Sequence, residues 1–328
     1  MKKLLLVHTG GTLGMSGRRP DALKPGSFFR TVRERVPELT QLANIEFELF
    51  SNIDSCEMQP ELWVRLAQRV AQRQADFDGV VITHGTDTLA ETACALSFML
   101  QGLRKPVVLT GAQRPLKEIR TDARLNLIDA VTSALNGPRE VTVCFDSHLL
   151  RGNRVRKVSI AEYDAFQSPN HPGLGVLGVD ARFEKGLTPS GRFRLLDKID
   201  PRVFLLRVFP GLDPQIVLSL LPRVHGLVLE AYGAGNFPSR EDLGRSLSPV
   251  FREAKRLGVP ILVVSQAERN GVDLSLYESG NAARLTGAVG GGDMTVSAAV
   301  VKLMHGLAWY RGAALTRYLE RSVAGERT

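Results

Sequence analysis

Short apolar runs alternate with segments of helical periodicity along the first half of the chain. Strands are predicted at residues 4–8, 79–83, 106–110 and 141–145. Between them, Leu62, Leu66 and Val70 recur at helical spacing within residues 59–73, and residues 90–103 are apolar on almost every side, which is typical of a buried helix. This alternation predicts an α/β domain with a parallel sheet.

A polar stretch at residues 186–202, with two prolines and no sustained period, separates this half from a further alternating block. The block predicts strands at 203–208, 226–230 and 260–264, helices through 215–221 and 242–256, and a last helix that begins near Asp293 and includes 296–309. We therefore predict an N-terminal α/β catalytic domain at 1–187, a linker at 188–202 and a C-terminal α/β domain at 203–328.

The composition is typical of a soluble globular protein. Of 328 residues, 44% are hydrophobic and 23% are charged, and no apolar run reaches the about 18 residues that a membrane span needs. The start, Met1-Lys2-Lys3 followed by four apolar residues, is too short for a signal peptide. Three widely spaced cysteines are typical of reduced thiols, and no Cys/His spacing suggests zinc. We expect a cytoplasmic protein with no membrane partner and no metal.

The net charge of +8 raises the question of nucleic acid. The basic residues are mostly arginines scattered through helical stretches, and aromatics make up only 6% of the chain, too few for a base-stacking platform. A solvated basic surface is the favoured interpretation, so no nucleic-acid partner is expected.

Polar motifs follow four of the predicted strands. They are TGGT at residues 9–12, THGTDT at 83–88, TGAQ at 110–113 and RGNRVRK at 151–157. Ligands in open α/β sheets gather beyond the carboxyl ends of the strands, so these loops are expected to converge.

The residue types in these loops leave two interpretations open. TGGT lacks the spacing and the lysine of a phosphate-binding loop, so it either makes a tight turn or presents a side chain for chemistry. In THGTDT, Thr86 or Asp87 either caps a helix or contributes to a site. Lys157 is the only lysine between Lys117 and Lys185; it is either a surface residue or a base, since lysine can lose its proton when buried and arginine cannot.

Together, TGGT, THGTDT and the lysine of GNRVRK resemble the bacterial-type L-asparaginase family. DSCEMQPELW, TGAQRPL, DAFQSPN, AYGAGN and GGDMT are similar to the same family and extend the resemblance over nearly the whole chain. DAFQSPN, GGDMT and the missing secretion signal resemble its type I, cytoplasmic branch. The resemblance implies a two-domain asparaginase-like α/β fold, with a larger, mostly parallel-sheet N-terminal domain and a smaller C-terminal α/β domain.

The resemblance also implies an activity, the hydrolysis of L-asparagine to L-aspartate and ammonia, with weaker action on L-glutamine as a secondary expectation. Thr12 would be the nucleophile that forms the acyl-enzyme. Thr86 would be coupled to Lys157 to activate an attacking group, and Asp87 would bind the α-ammonium of the substrate. A threonine hydroxyl is a weak nucleophile that needs such a base, and the tetrahedral intermediate needs donors for its oxyanion, for which backbone amides of the glycine-rich turn are candidates.

Further roles come from the same resemblance. Ser55 would receive the substrate α-carboxylate, and the backbone carbonyl of Ala112 would help to hold the leaving amide. No metal or organic cofactor is implied. The family favours a homodimer or homotetramer with sites near subunit contacts.

The sequence departs from the family pattern at two places. Many relatives carry glutamine after the serine of DSCEM, where this chain has Cys56. The family also has a tyrosine in the loop after TGGT, whereas the first tyrosine here is Tyr163. We predict that Tyr277, in LSLYESGN, orients Thr12 in place of the missing tyrosine; the alternative is that Tyr277 only packs in a subunit interface.

Two other functions are weighed against an asparaginase. The glutaminase-like subunit of a tRNA-dependent amidotransferase is similar but carries an additional amino-terminal domain, which we do not expect here because TGGT begins at residue 9. A non-catalytic asparagine-binding protein would explain the missing tyrosine, but it would not need Thr12, Thr86, Asp87 and Lys157 together.

Overall fold

Parallel pairing joins the strands that the sequence predicts in the first half of the chain. The structure, a computed structural model, describes residues 1–15, 25–188 and 191–328. These residues form two units, Met1–Asp197 and Lys198–Thr328. The division falls within residues 188–202.

The described residues of the N-terminal unit form twelve strands and five α-helices. The strands are β1 (Lys3–Gly10), β2 (Asn44–Ile53), β3 (Gly79–Thr83), β4 (Leu100–Gln101), β5 (Val107–Thr110), β6 (Val141–Phe145), β7 (His148–Arg151), β8 (Arg156–Lys157), β9 (Phe166–Gln167), β10 (Gly175–Leu177), β11 (Ala181–Phe183) and β12 (Arg194–Leu195). The helices are α1 (Pro25–Arg35), α2 (Leu39–Leu42), α3 (Pro60–Arg73), α4 (Leu89–Met99) and α5 (Ala123–Asn136).

Its main sheet has the order β11-β10-β7-β6-β5-β3-β1-β2. The pairs from β2 through β1, β3 and β5 to β6 are parallel, whereas β7, β10 and β11 are added in antiparallel fashion. The register aligns His8 with Thr83 and Thr83 with Thr110. The carboxyl ends of β1, β3 and β5 therefore stand side by side, as the sequence predicts.

Helices cover the sheet with apolar side chains. Leu127, Ala130 and Val131 of α5 join a core with Leu4, Leu6, Val81 and Val108 of the strands. α4 is buried along its length, as its apolar sequence predicts, but it ends at Met99 rather than Leu103. Gly102 adopts a φ of 71°, and Leu100–Gln101 pairs with Arg194–Leu195 instead of continuing the helix.

The C-terminal unit is built around four parallel strands in chain order. They are β13 (Val203–Arg207), β14 (Gly226–Ala231), β15 (Ile261–Ser265) and β16 (Val289–Gly290). The helices are α6 (Pro214–Leu220), α7 (Ser248–Leu257), α8 (Glu278–Leu285), α9 (Val296–Trp309) and α10 (Gly312–Glu320). No helix among the described residues of either unit has the length and apolar character to cross a membrane.

Two helix predictions for this unit are wrong, one in where the helix begins and the other in which helix is the last. The helix predicted at 242–256 begins only at Ser248, because Gly244 turns left-handed with a φ of 79° and Pro249 occupies the first turn. α9 matches the predicted segment 296–309, but it is not the last helix, since α10 follows it.

One contact in the N-terminal sheet depends on the absence of a side chain. A Cβ atom on Gly79, the first residue of β3, would lie 2.1 Å from the Ala134 carbonyl oxygen of α5. The backbone of α5 thus rests directly on the strand that leads into THGTDT.

We predict that Gly79→Ala lowers the free energy of unfolding by about 2 kcal/mol, because backbone atoms must shift to admit the methyl group. Urea unfolding followed by circular dichroism measures this. The matched control is Gly178→Ala, where no heavy atom of the described residues lies within 4 Å of the added carbon. Equal stability of the two variants would contradict the close approach.

Candidate active site

The loops that follow β1 and β3 meet through their backbones. A Cβ atom on Gly11 would lie 2.4 Å from Gly85 Cα, and one on Gly85 would lie 2.5 Å from Ser55 Oγ. Gly11 also has a φ of 84°, in the left-handed region that favours glycine. Three segments distant in sequence therefore come into contact where only glycine fits.

Thr12 lies at the start of a short 3-10 helix, Thr12–Gly14, directly after this contact. The turn is fixed by Met15 N–H, which donates to Thr12 O (3.0 Å), and by the fully buried side chain of Leu13. Thr12 itself is half-buried. The TGGT loop thus holds its second threonine at the carboxyl end of β1.

Thr86, Asp87 and Lys157 form a hydrogen-bonded cluster. Lys157 Nζ donates to Thr86 Oγ1 (2.8 Å) and to Asp87 Oδ1 (2.6 Å). The Lys157 side chain is 18% exposed and Thr86 is buried, whereas the Asp87 carboxylate is 61% exposed. Lys157, the lysine singled out from the sequence, therefore contacts the THGTDT motif. The Asp87 side chain remains exposed and accessible to a ligand.

The backbone positions Lys157 from a segment remote in sequence. It lies in β8, which pairs antiparallel with β9 so that Lys157 faces Phe166 in the register. The preceding turn, Gly152–Arg154, is buried. The Lys157 ammonium group therefore binds Thr86 and Asp87, which lie about 70 positions earlier in the sequence.

Ser55 adjoins the same cluster. Its hydroxyl oxygen accepts from the Asp87 N–H (3.2 Å), and its carbonyl oxygen accepts from Thr88 Oγ1 (2.6 Å). The residue is only 3% exposed. Cys56, the departure from the family pattern, is exposed beside it, and Asp54 accepts from the Cys56 N–H (3.2 Å).

Ala112 lies in the loop after β5, which two buried side chains hold in place. Asn126 donates to Gly111 O (3.1 Å) and accepts from Asp146 N–H (3.0 Å). Asp122 accepts from the N–H groups of Gln113 and Arg114 (2.9 and 3.0 Å). Burial raises the pKa of Asp122, and these donors oppose that shift. Neither contact is predictable from the sequence, because nothing in the sequence distinguishes Asp122 from an ordinary helix cap or Asn126 from an ordinary surface residue of α5.

Tyr277 is not brought to this cluster by any contact that the structure describes. It belongs to the C-terminal unit, precedes α8 and is 57% exposed. The loop that usually holds the family's tyrosine begins at Ser16 and lies outside the described residues through position 24. The role of Tyr277 stays a prediction.

Among the described residues, no group of three or more His, Cys, Asp or Glu side chains has the arrangement of a metal site. The polar side chains of the cluster around Lys157 are instead hydroxyls, one lysine and one carboxylate. This donor set is that of nucleophilic and acid–base chemistry.

Two family models match the chain. The model described as "Asparaginase, N-terminal" matches residues 3–188, and that described as "Glutaminase/Asparaginase C-terminal domain" matches residues 202–317. The chain belongs to the asparaginase family. The resemblance drawn from TGGT, THGTDT and GNRVRK is thereby confirmed.

Named proteins are similar to this asparaginase-family chain over almost its whole length. L-asparaginase 1 of Escherichia coli is 36% identical over 312 residues, which is 93% of this chain and 91% of that protein. The solved L-asparaginase of Thermococcus kodakarensis is 36% identical with a TM-score of 0.90 and covers 99% of both chains. These findings confirm the predicted two-domain fold and the resemblance to type I.

Another family member has a different name. A glutamyl-tRNA(Gln) amidotransferase subunit of Pyrococcus furiosus is 34% identical over 316 residues, which is 92% of this chain and 71% of that protein. Homology alone therefore extends to proteins with more than one named activity, and the residues of the site must distinguish between them.

Proposed function

We propose that this protein is an L-asparaginase, an amidohydrolase that converts L-asparagine to L-aspartate and ammonia through a threonine nucleophile and an acyl-enzyme. The observation that carries the proposal is the contact of Lys157 with both Thr86 and Asp87 beside the TGGT loop. Membership of the asparaginase family and the names of the relatives support it.

In this proposal the two charged ends of the substrate bind to Asp87 and Ser55. Asp87 is the exposed carboxylate of the cluster and is suited to a charge-assisted bond with the α-ammonium. Ser55 Oγ accepts from the Asp87 N–H, so its own hydroxyl proton can be donated to the α-carboxylate. Adjacent donor and acceptor groups of this kind select an α-amino acid.

The reaction then proceeds in two steps. Thr12 Oγ attacks the side-chain amide carbon of asparagine and gives its proton to a base; the C–N bond breaks, and the nitrogen leaves as ammonia after taking up a proton. Water attacks the resulting ester, and aspartate leaves as the Thr12–acyl bond breaks. The hydrogen-bonded Thr86–Lys157 pair is the proposed route for these proton transfers.

The oxyanion of each tetrahedral intermediate needs N–H donors. The Gly11 N–H is already bonded to Ile53 O (3.0 Å), which removes it from the candidates in the glycine-rich turn. Thr86 N–H donates to no acceptor among the described residues and adjoins the Gly11 backbone through Gly85. We assign it as an oxyanion donor, with the Ala112 carbonyl holding the leaving amide nitrogen from the β5 loop.

The finer statements belong to the same proposal. We propose a cytoplasmic homodimer or homotetramer that needs no metal or organic cofactor and acts more weakly on L-glutamine. The amidotransferase alternative has homology in its favour. A non-catalytic asparagine-binding protein has only the missing loop tyrosine in its favour.

Ammonia release from free L-asparagine and from L-glutamine, each measured with and without Glu-tRNA, tests the function. We expect turnover of free L-asparagine that exceeds turnover of L-glutamine. Thr12→Ala should lower the rate by several orders of magnitude, roughly 10⁴-fold or more, since it removes the nucleophile, while the melting temperature is retained. Binding of asparagine without ammonia release would favour the non-catalytic alternative, and glutamine hydrolysis that requires tRNA would favour the amidotransferase.

Lys157→Met and Thr86→Val are each expected to cripple turnover, and the double variant should be little worse than either, because groups that act as one unit are not additive. Steady-state kcat for the four proteins measures this. The exposed Lys185 provides the matched control, since Lys185→Met makes the same change away from the cluster. Multiplying losses in the double variant would mean that the two residues work separately.

Tyr277→Phe tests the proposed orienting tyrosine, because it removes the hydroxyl and keeps the apolar ring. A role at Thr12 predicts a large fall in kcat with an unchanged oligomeric state and melting temperature. Tyr232→Phe, in the same unit, is the matched control. Normal turnover of Tyr277→Phe would end this assignment.

A further inference from the structure

His84, within the THGTDT motif, has a fully buried side chain that the proposed mechanism does not use. Both of its ring nitrogens are engaged. Nδ1 lies 2.7 Å from Gly85 O, and Nε2 lies 3.0 Å from Thr92 Oγ1 in α4. Thr92 Oγ1 in turn accepts from Trp63 Nε1 of α3 (3.0 Å).

These three hydrogen bonds form a series that runs from the Trp63 indole to the Gly85 carbonyl. The two end groups fix the direction of every bond in the series. The indole N–H only donates and the Gly85 carbonyl only accepts. Thr92 must therefore donate to His84 Nε2, and His84 Nδ1 must carry the proton that is donated to Gly85. Burial lowers the pKa of His84 to about 4, so the ring is neutral at neutral pH and holds this one tautomer.

The bond to Gly85 O constrains the next amide. The peptide bond is planar and trans, so its C=O and N–H groups point in opposite directions. The Gly85–Thr86 peptide has its carbonyl turned inward to His84, and the Thr86 N–H is consequently turned away from the core. Gly85 also touches Gly11 and Ser55, so the peptide lies between the nucleophile loop and the proposed carboxylate subsite.

We propose that His84 is a positioning residue that aims the Thr86 N–H at the oxyanion by holding the Gly85 carbonyl. This inference rests on the proposed function and deepens it. His84 transfers no proton and touches no substrate. Trp63 and Thr92 act one step further back, because they hold the imidazole in the tautomer that can donate to Gly85.

If His84 only filled space in the core, substitutions at this position would have a different effect. An imidazole that only fills volume is replaced by another side chain of similar size at some cost in stability and none in the chemical step. A positioning imidazole is replaced only by a group with a donor at the place of Nδ1. Asparagine provides such a donor through Nδ2, and leucine has a similar shape without one.

The test compares His84→Leu with His84→Asn at a temperature at which both are folded. A misaligned donor costs less than a deleted one, so we expect His84→Leu to lower kcat about 10- to 100-fold with little change in KM. His84→Asn should keep kcat within about threefold of the wild type, since the bond to Gly85 is retained. Equal losses in the two variants, or a normal kcat in His84→Leu, would overturn the proposal.

A second pair covers the case in which neither His84 variant folds. Thr92→Val removes the donor to His84 and should lower kcat several-fold, whereas Thr92→Ser keeps the hydroxyl and should not. Thr142→Val is the matched control, since it makes the same change at a buried hydroxyl that bonds to no described residue. A normal kcat in Thr92→Val would then overturn the proposal.

If the proposed function is wrong, the wild-type protein itself will release no ammonia from L-asparagine. This outcome is distinct from a failure of the role proposed for His84. The positioning of Thr86 is then measured by the chemical shift of its amide proton in selectively labelled protein. A shift that moves in His84→Leu and stays in His84→Asn supports the proposal. A shift that is the same in both variants overturns it.

Discussion

The candidate site depends on the close approach of two backbone segments at Gly11 and Gly85, where neither residue has a side chain. The loops after β1 and β3 approach so closely that a methyl group on either glycine would overlap backbone atoms or Ser55. This approach is possible because β1 and β3 are adjacent and parallel, so both loops leave the sheet at the same edge. Thr12, Ser55, Thr86 and Asp87 are neighbours as a result.

Electrostatics then joins a further segment to this contact. The Lys157 ammonium is largely buried, which is tolerable because Asp87 and Thr86 both accept from it. The Asp87 carboxylate faces solvent on its other side, where a substrate ammonium can share it. In the proposed mechanism this carboxylate would both stabilise the resting lysine and bind the substrate ammonium, so that substrate binding would change the surroundings of the lysine.

Much of this arrangement could be predicted from the sequence, since strand ends and loop residues are local. TGGT, THGTDT and Lys157 stand out by residue type and spacing, and β3 and β6 have the predicted bounds. The contacts of Asn126, and the hydrogen bonds that link Trp63, Thr92 and His84, could not be predicted. Their partners lie in other elements, and the bonds exist only after packing. The early end of α4 and the late start of α7 depend on pairing with β12 and on the φ of Gly244.

In the proposed mechanism Thr12, and not Thr86, carries the acyl group. Mixing the protein with L-asparagine, quenching in acid within the first turnovers and mapping peptides by mass spectrometry tests it most directly. We predict an aspartyl ester on the peptide that contains Thr12, and none in Thr12→Ala. An ester on Thr86, or one that persists in Thr12→Ala, would mean that Thr12 is not the nucleophile.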